Sequence, residues 1–181
     1  YVGNEDTYIC VTEALKAAAA WNKVNVEIEW INAETATKRD FAKVDGLVVP
    51  GGFGARGAEG KIKAATYALD KDVPYLGLCL GMQMACVAAA RKGKKKKAGS
   101  EEFGAGVGEN VIYIMEDQKG KESTGGTMRL GDYPAVLKKG SKTAKIYGTT
   151  EVTERHRHRY EVNQEFLGAI EKGGLMVSGT S

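Results

Sequence analysis

The chain has 181 residues, about one domain with a core of its own, and its 43% hydrophobic and 27% charged content is ordinary for a globular protein. The formal net charge of +3 is local: six basic residues stand between positions 91 and 97, and elsewhere acids outnumber bases, which excludes a broadly basic nucleic-acid binder. No apolar run approaches the roughly 20 residues that span a bilayer, and two histidines with no Cys/His cluster argue against a zinc site.

Three cysteines (Cys10, Cys79 and Cys86) without C-x-x-C spacing point to a reducing, intracellular setting. No signal-peptide pattern is present, and the chain opens at Tyr1 rather than at methionine, so a missing N-terminal segment is expected. Residues 7–21 predict a helix with Asp6 as its N-cap. Residues 24–31 alternate apolar and polar side chains and predict a strand. Residues 36–42 form a weak helix or loop. The apolar run 46–50 reads as a strand covered on both faces, and it ends in Gly51-Gly52-Phe53-Gly54. A helix over 59–71 and a short buried strand over 75–78 follow.

At Cys79 the chain turns from that strand into a helix over 82–91. Small residues on both sides, Gly77 and Gly81, let the backbone turn tightly and force the thiol outward, as in a nucleophile elbow. The following helix N-terminus favours a thiolate, and the Leu80 amide is placed to face an oxyanion. A buried structural cysteine is the plainer alternative.

Beyond the elbow helix, the lysines at 94–97 and the glycines at 104–108 read as an exposed connection. Such a run is ordinarily a solvated one, and a nucleic-acid role is the minor reading. Residues 111–115 predict a strand and 117–123 a polar loop, which leads to GGTMRLG at 125–131. Residues 154–163 read ERHRHRYEVN, with a helix expected over 164–172 and a strand beginning in 174–177. Strands alternating with helices, each strand ending in small residues, predict an α/β fold: a mostly parallel twisted sheet flanked by helices, with the site at the strands' carboxyl ends.

The glycine loop at 51–54 lacks the lysine and hydroxyl residue of a phosphate loop, so the Gly52 amide is read as a second oxyanion donor, with a plain turn as the alternative. In an extended segment Arg155, Arg157 and Arg159 share one face, opposite His156 and His158. Three arginines there suit a carboxylate or phosphate, or else form a solvated edge. Arg129, two residues before Gly131, is a weaker anion-binding candidate. A cysteine nucleophile needs a base. His156 and His158 are flanked by arginines, which disfavour the imidazolium, and no carboxylate is placed to orient them, so neither is chosen.

The segment GLCLGMQ at 77–83 resembles the elbow of class I (triad) glutamine amidotransferases. With PGGFGARGAEG at 50–60, GGTMRLG at 125–131 and ERHRHRYEVN at 154–163, nearly the whole chain is similar to the glutaminase domain of the CTP synthase family. The elbow alone would be shared with GMP synthase or carbamoyl-phosphate synthetase subunits. The resemblance implies that Cys79 attacks the side-chain amide of L-glutamine and forms a γ-glutamyl thioester. Gly52 and Leu80 would hold the oxyanion, and Gly81, Met82 and Gln83 would line the substrate. Glu102 would take the α-ammonium and Arg159 the α-carboxylate.

The resemblance further implies no cofactor in this domain. Ammonia would pass to an amidoligase domain of the same polypeptide, which uses ATP and Mg to activate UTP in pyrimidine biosynthesis. GTP would be an allosteric activator, with Phe53, Arg56 and Arg129 as coupling candidates. A cytoplasmic homo-tetramer is implied for the full-length enzyme.

Two departures are visible. Residues 99–103 read Gly-Ser-Glu-Glu-Phe where the family has Asn-Ser-Thr-Glu-Phe, which makes Glu101 the alternative to Glu102. No His-Pro-Glu stretch, the family's source of the base, occurs before Ser181, and the amidoligase domain is absent. The chain is therefore expected to be a piece of a larger enzyme, acylated slowly and impaired in turnover. The competing readings are the glutaminase of another biosynthetic enzyme such as GMP synthase, a catalytically dead binding module, and a cysteine hydrolase acting on γ-glutamyl peptides.

Overall fold

The computed structural model describes residues 5–104, 109–120 and 128–181. They fall into two compact units, divided between Met84 and Ala85.

In the first unit a 3-10 turn, Glu5–Tyr8, leads into α1 (Ile9–Trp21). The expected cap at Asp6 is corrected: Asp6 lies in the 3-10 turn, and Tyr8 holds the N-cap position without a side-chain hydrogen bond. No residue of α1 is buried, and Trp21 is 88% exposed. The expected strand at 24–31 is also corrected. Alternation prepares a strand, but a ladder needs a partner backbone, and among the described residues this segment pairs with none. Val24, Val26 and Trp30 stay exposed, with Trp30 stacked on Tyr8 at 6.1 Å.

α2 (Lys38–Phe41) opens with a capping box in which the Thr37 amide donates to Asp40 Oδ2 at 2.8 Å. β1 (Leu47–Val49) and β2 (Tyr75–Gly77) pair in parallel through α3 (Ala58–Lys71), with Val49 opposite Gly77. Leu47 and Val49 pack with Phe41, Ala64 and Ala68, and Phe41 meets Tyr67 at 5.8 Å. β1 is expected to be covered on both faces; Leu47 and Val49 are buried, and Val48 on the other face is half-buried. β2 is not the buried strand expected, since Leu76 is 52% exposed. α4 (Leu80–Lys92) begins here and runs on into the second unit.

The second unit continues with β3 (Ala98–Ser100), a 3-10 turn at Glu101–Phe103, and β4 (Glu109–Ile114). After a further 3-10 turn, Glu116–Gln118, come β5 (Arg129–Leu137), α5 (Lys142–Tyr147), β6 (Glu151–His158) and β7 (Tyr160–Val162). α6 (Leu167–Lys172) and β8 (Gly179–Thr180) complete it. One sheet has the order β3-β4-β7, the other β6-β5-β8. Among the described residues the parallel pairings are β1 with β2 and β3 with β4; the other three are antiparallel.

The strand expected over 174–177 is replaced by β8, two residues further on, although the Lys138 amide donates to the Ser178 carbonyl at 2.7 Å. The lysine run is not wholly solvated: Lys95 pairs with Glu109 at 2.7 Å and lies over the Phe166 ring at 5.6 Å. Residues 105–108 of the expected connection, 121–123 of the polar loop and 125–127 of the GGTMRLG motif lie outside the described residues.

Candidate active site

The parallel pair brings two loops of small residues to one edge of the first unit. The Leu78 amide donates to the Val49 carbonyl at 2.9 Å, carrying the ladder one residue past β2. Cys79 then adopts φ 51, the left-handed region in which a residue with a β-carbon is strained by roughly 1–2 kcal/mol. The turn closes through the Gly81 amide on the Leu78 carbonyl at 2.9 Å and the Gln83 amide on the Cys79 carbonyl at 3.1 Å. The Tyr75 hydroxyl donates to the Gly81 carbonyl at 2.8 Å.

Both elbow glycines are required by contact. A β-carbon at Gly77 would sit 2.6 Å from Gly81 C and Met82 N, and one at Gly81 would run into the Val49 carbonyl oxygen. The Cys79 side chain is exposed and Leu80 is 1% exposed, so the corner turns the thiol out and the next side chain into the core. All three cysteines are thiols rather than disulfides. Burial pushes the Cys86 thiol up to about 12.

Leu80 is the first residue of α4, and its amide is among the four at a helix start that have no intrahelical acceptor. The loop after β1 closes on the elbow: a β-carbon at Gly51 would lie 3.4 Å from Cys79 Cβ, which places the Gly51-Gly52 segment beside the thiol. Gly81 and Gln83 are buried, whereas Met82 is 43% exposed. Of the coupling candidates, Phe53 is 59% exposed. Arg56 is held by Glu34, to whose Oε2 both its Nε and a terminal nitrogen lie at 2.9 Å. That contact keeps the Glu34 carboxyl below its ordinary value.

Glu102, Arg129 and Arg159 belong to the second unit. Glu102 is half-buried in the 3-10 turn after β3, with its amide on Ser100 Oγ at 3.3 Å. The neighbouring Glu101 serves the backbone instead. Its Oε2 accepts the Ile114 amide at 2.8 Å, joining the turn to the end of β4.

The three-arginine face is corrected. Arg155 and Arg157 are exposed on β6, opposite Asp132 and Leu130. Arg159 lies in the one-residue bend between β6 and β7, where the chain leaves one sheet for the other, and is half-buried. Its carbonyl accepts the Met115 amide at 3.1 Å.

Sequence reasoning missed what His156 and His158 do together. His156 Nδ1 lies 2.9 Å from His158 Nε2, and His158 Nδ1 lies 3.0 Å from the Tyr160 carbonyl. Tyr133 packs on His156 at 5.2 Å, and Arg129 lies over the Tyr133 ring at 4.2 Å. Burial first, then the Arg129 charge and the neighbouring His158, pull the His156 pKa below its ordinary value, with Glu154 opposing. The cation that matters is Arg129 across the ladder rather than the flanking arginines. The His-x-His spacing signals a shared strand face, and that face is the one signal the sequence carries.

Among the described residues no group of three or more His, Cys, Asp or Glu side chains is placed to hold a metal ion. No helix among them is long and apolar enough to cross a membrane.

Residues 5–181 match the family described as glutamine amidotransferase class-I. The CTP synthase of Thermus thermophilus is 46% identical over 186 residues, covering all of this chain and 34% of that protein. The CTP synthase of Methanoculleus marisnigri is 49% identical over 179 residues, 98% of this chain and 34% of that protein. The chain therefore spans about a third of the length of the curated relatives it matches. Among solved structures, the Trypanosoma brucei CTPS glutaminase domain with bound acivicin superposes with a TM-score of 0.89 at 34% identity, over 99% of this chain and 71% of that one.

Proposed function

Because the chain belongs to the class-I glutamine amidotransferase family, in its branch of CTP synthase glutaminase domains, we propose that Cys79 is the nucleophile that releases ammonia from L-glutamine. The Cys79 sulfur attacks the side-chain amide carbon, and the Gly52 and Leu80 amides take the oxyanion of the tetrahedral intermediate. The C–N bond breaks, the thiol proton leaves on nitrogen as ammonia, and a γ-glutamyl thioester remains. Water then splits the thioester to glutamate and restores the thiol. Gly81, Met82 and Gln83 line the substrate, Glu102 takes its α-ammonium and Arg159 its α-carboxylate. The base that moves these protons is the histidine of the His-Pro-Glu stretch that the family supplies outside residues 1–181.

The same reading makes residues 1–181 one domain of a longer polypeptide. Its amidoligase domain uses ATP, with Mg, to activate UTP, and the released ammonia converts it to CTP. GTP stimulates the glutaminase step, with Phe53, Arg56 and Arg129 as the coupling residues. The full enzyme works as a cytoplasmic homo-tetramer, in keeping with three cysteines held as thiols.

The observation that carries this reading is Cys79 itself: an exposed thiol on a left-handed residue, with the Gly51-Gly52 loop packed beside it. The test is covalent labelling of the full polypeptide with acivicin, followed by peptide mass mapping. An adduct on Cys79 that glutamine protects against is expected. Absence of labelling would favour a dead binding module, and glutamine hydrolysis indifferent to GTP would favour another amidotransferase.

A further inference from the structure

The bend that carries Arg159 is held by an ordered chain of hydrogen bonds. A carbonyl oxygen only accepts, so the 3.0 Å contact of His158 Nδ1 with the Tyr160 carbonyl requires the proton on Nδ1. In the neutral ring Nε2 then accepts, and the 2.9 Å contact with His156 Nδ1 requires that nitrogen to donate. The chain reads His156 Nδ1–H to His158 Nε2, then His158 Nδ1–H to the Tyr160 carbonyl. The last link spans Arg159, whose own carbonyl is tied to the Met115 amide.

β5 backs the pair: Gly131 lies opposite His156, Arg129 lies opposite His158, and Tyr133 packs on His156. The opposite tautomer of His158 would set a lone pair against the carbonyl oxygen and release the bend. Sheet pairing holds the residue on each side of Arg159, His158 opposite Arg129 and Tyr160 opposite Ile114, and the contact of His158 with the Tyr160 carbonyl bridges the bend between them.

We propose that His158 is a positioning residue for Arg159, its tautomer set by the Tyr160 carbonyl and matched by His156, and that the pair fixes the guanidinium for the substrate's α-carboxylate. This rests on the reading of Arg159 as the carboxylate-binding residue. A guanidinium on a fixed fork binds a carboxylate with less ordering cost than one on a mobile bend.

The test uses the full polypeptide and two reagents that attack the same thiol. Acivicin carries an α-amino acid head; iodoacetamide does not. His158→Phe keeps the ring but has no donor. His158→Asn keeps a donor at the Nδ1 position, and His158→Gln has one only at the Nε2 position. His158→Phe and His158→Gln are expected to raise the acivicin concentration for half-maximal labelling rate of Cys79 about 5-fold, the scale of one positioning hydrogen bond. The limiting rate and the iodoacetamide rate at Cys79 should stay unchanged, and His158→Asn should stay within about twofold of wild type.

The inference is overturned if acivicin labels His158→Phe like wild type, if both reagents slow together, or if His158→Asn does no better than His158→Gln. The Asn and Gln comparison decides the matter should His158→Phe fail to fold. Wild-type protein that acivicin leaves unlabelled would overturn the glutamine reading and this inference with it, an outcome distinct from the others.

Discussion

Replacing Gly77 by alanine tests whether the elbow is a fixed device or an adaptable turn. The added β-carbon would meet Gly81 C and Met82 N at 2.6 Å and Gly81 O at 2.7 Å, all backbone atoms that cannot rotate away. Ordinary contact begins near 3.4 Å, so β2 and the start of α4 must separate by roughly 0.8 Å. Overpacking of that kind costs about 1–3 kcal/mol, or a fall of about 2–12 °C in the melting temperature of a domain this size. The functional cost is larger, because a displacement approaching 1 Å at a nucleophile is worth about 100-fold in rate. The assays are a thermal melt and the rate of Cys79 labelling by acivicin, with Gly54→Ala as control. At Gly54, φ +75, an added β-carbon would meet nothing within 4 Å, so its cost is the backbone strain of roughly 1 kcal/mol. Gly77→Ala that labels at the wild-type rate with an unchanged melt would refute the reasoning.

Three further outcomes are expected. At pH 8 iodoacetamide should modify the exposed Cys10 and Cys79 and spare Cys86, whose thiol burial pushes up to about 12; intact mass before and after unfolding counts the protected thiol. Glu101→Ala should lower stability by about 1–2 kcal/mol through the orphaned Ile114 amide, and Glu102→Gln should raise the KM for glutamine at least tenfold. By NMR, His156 should titrate with a midpoint below 6.5. Its folded value is depressed, so the unfolded chain binds the proton more readily; its contribution to stability is full above the unfolded value near 6.5 and falls as pH drops below it. A midpoint above 6.5 would contradict the half-buried placement near Arg129.

The elbow and the glycine loop were legible in the sequence because small residues in succession at a strand end answer a steric demand that composition cannot hide. Gly77 and Gly81 lie at close approaches, and Gly51 stands in ordinary contact with Cys79. The β5–β6 ribbon was not legible. Arg129 to Leu137 contains Gly131 and Pro134, which read as turn residues, and an antiparallel ladder of eight paired residues overrode that preference. The alternation at 24–31 failed for the opposite reason, since local pattern was present and, among the described residues, a partner was not. Arg159 was placed on a face it leaves, because the period-2 rule runs on through a bend that only the change of sheet creates. The hydrogen bond between the two histidines depends on ring tautomers and has no sequence signal beyond a shared face.

The elbow holds its strain because the surrounding bonds outweigh it. A left-handed Cys79 costs roughly 1–2 kcal/mol. Against that stand the Leu78 amide on Val49, the Gly81 amide on Leu78, the Gln83 amide on Cys79 and the Tyr75 hydroxyl on Gly81, each worth about 1 kcal/mol net. The strained residue is therefore the lowest state of its surroundings and need not wait for substrate to be imposed. On the proposed reading, a nucleophile and a helix-start amide fixed in this way meet the reacting carbon without reorganising, which is where preorganised sites obtain most of their rate. The same argument applies at Arg159. There the backbone is bonded on both sides, through Met115 and through His158, so the guanidinium starts from a fixed origin.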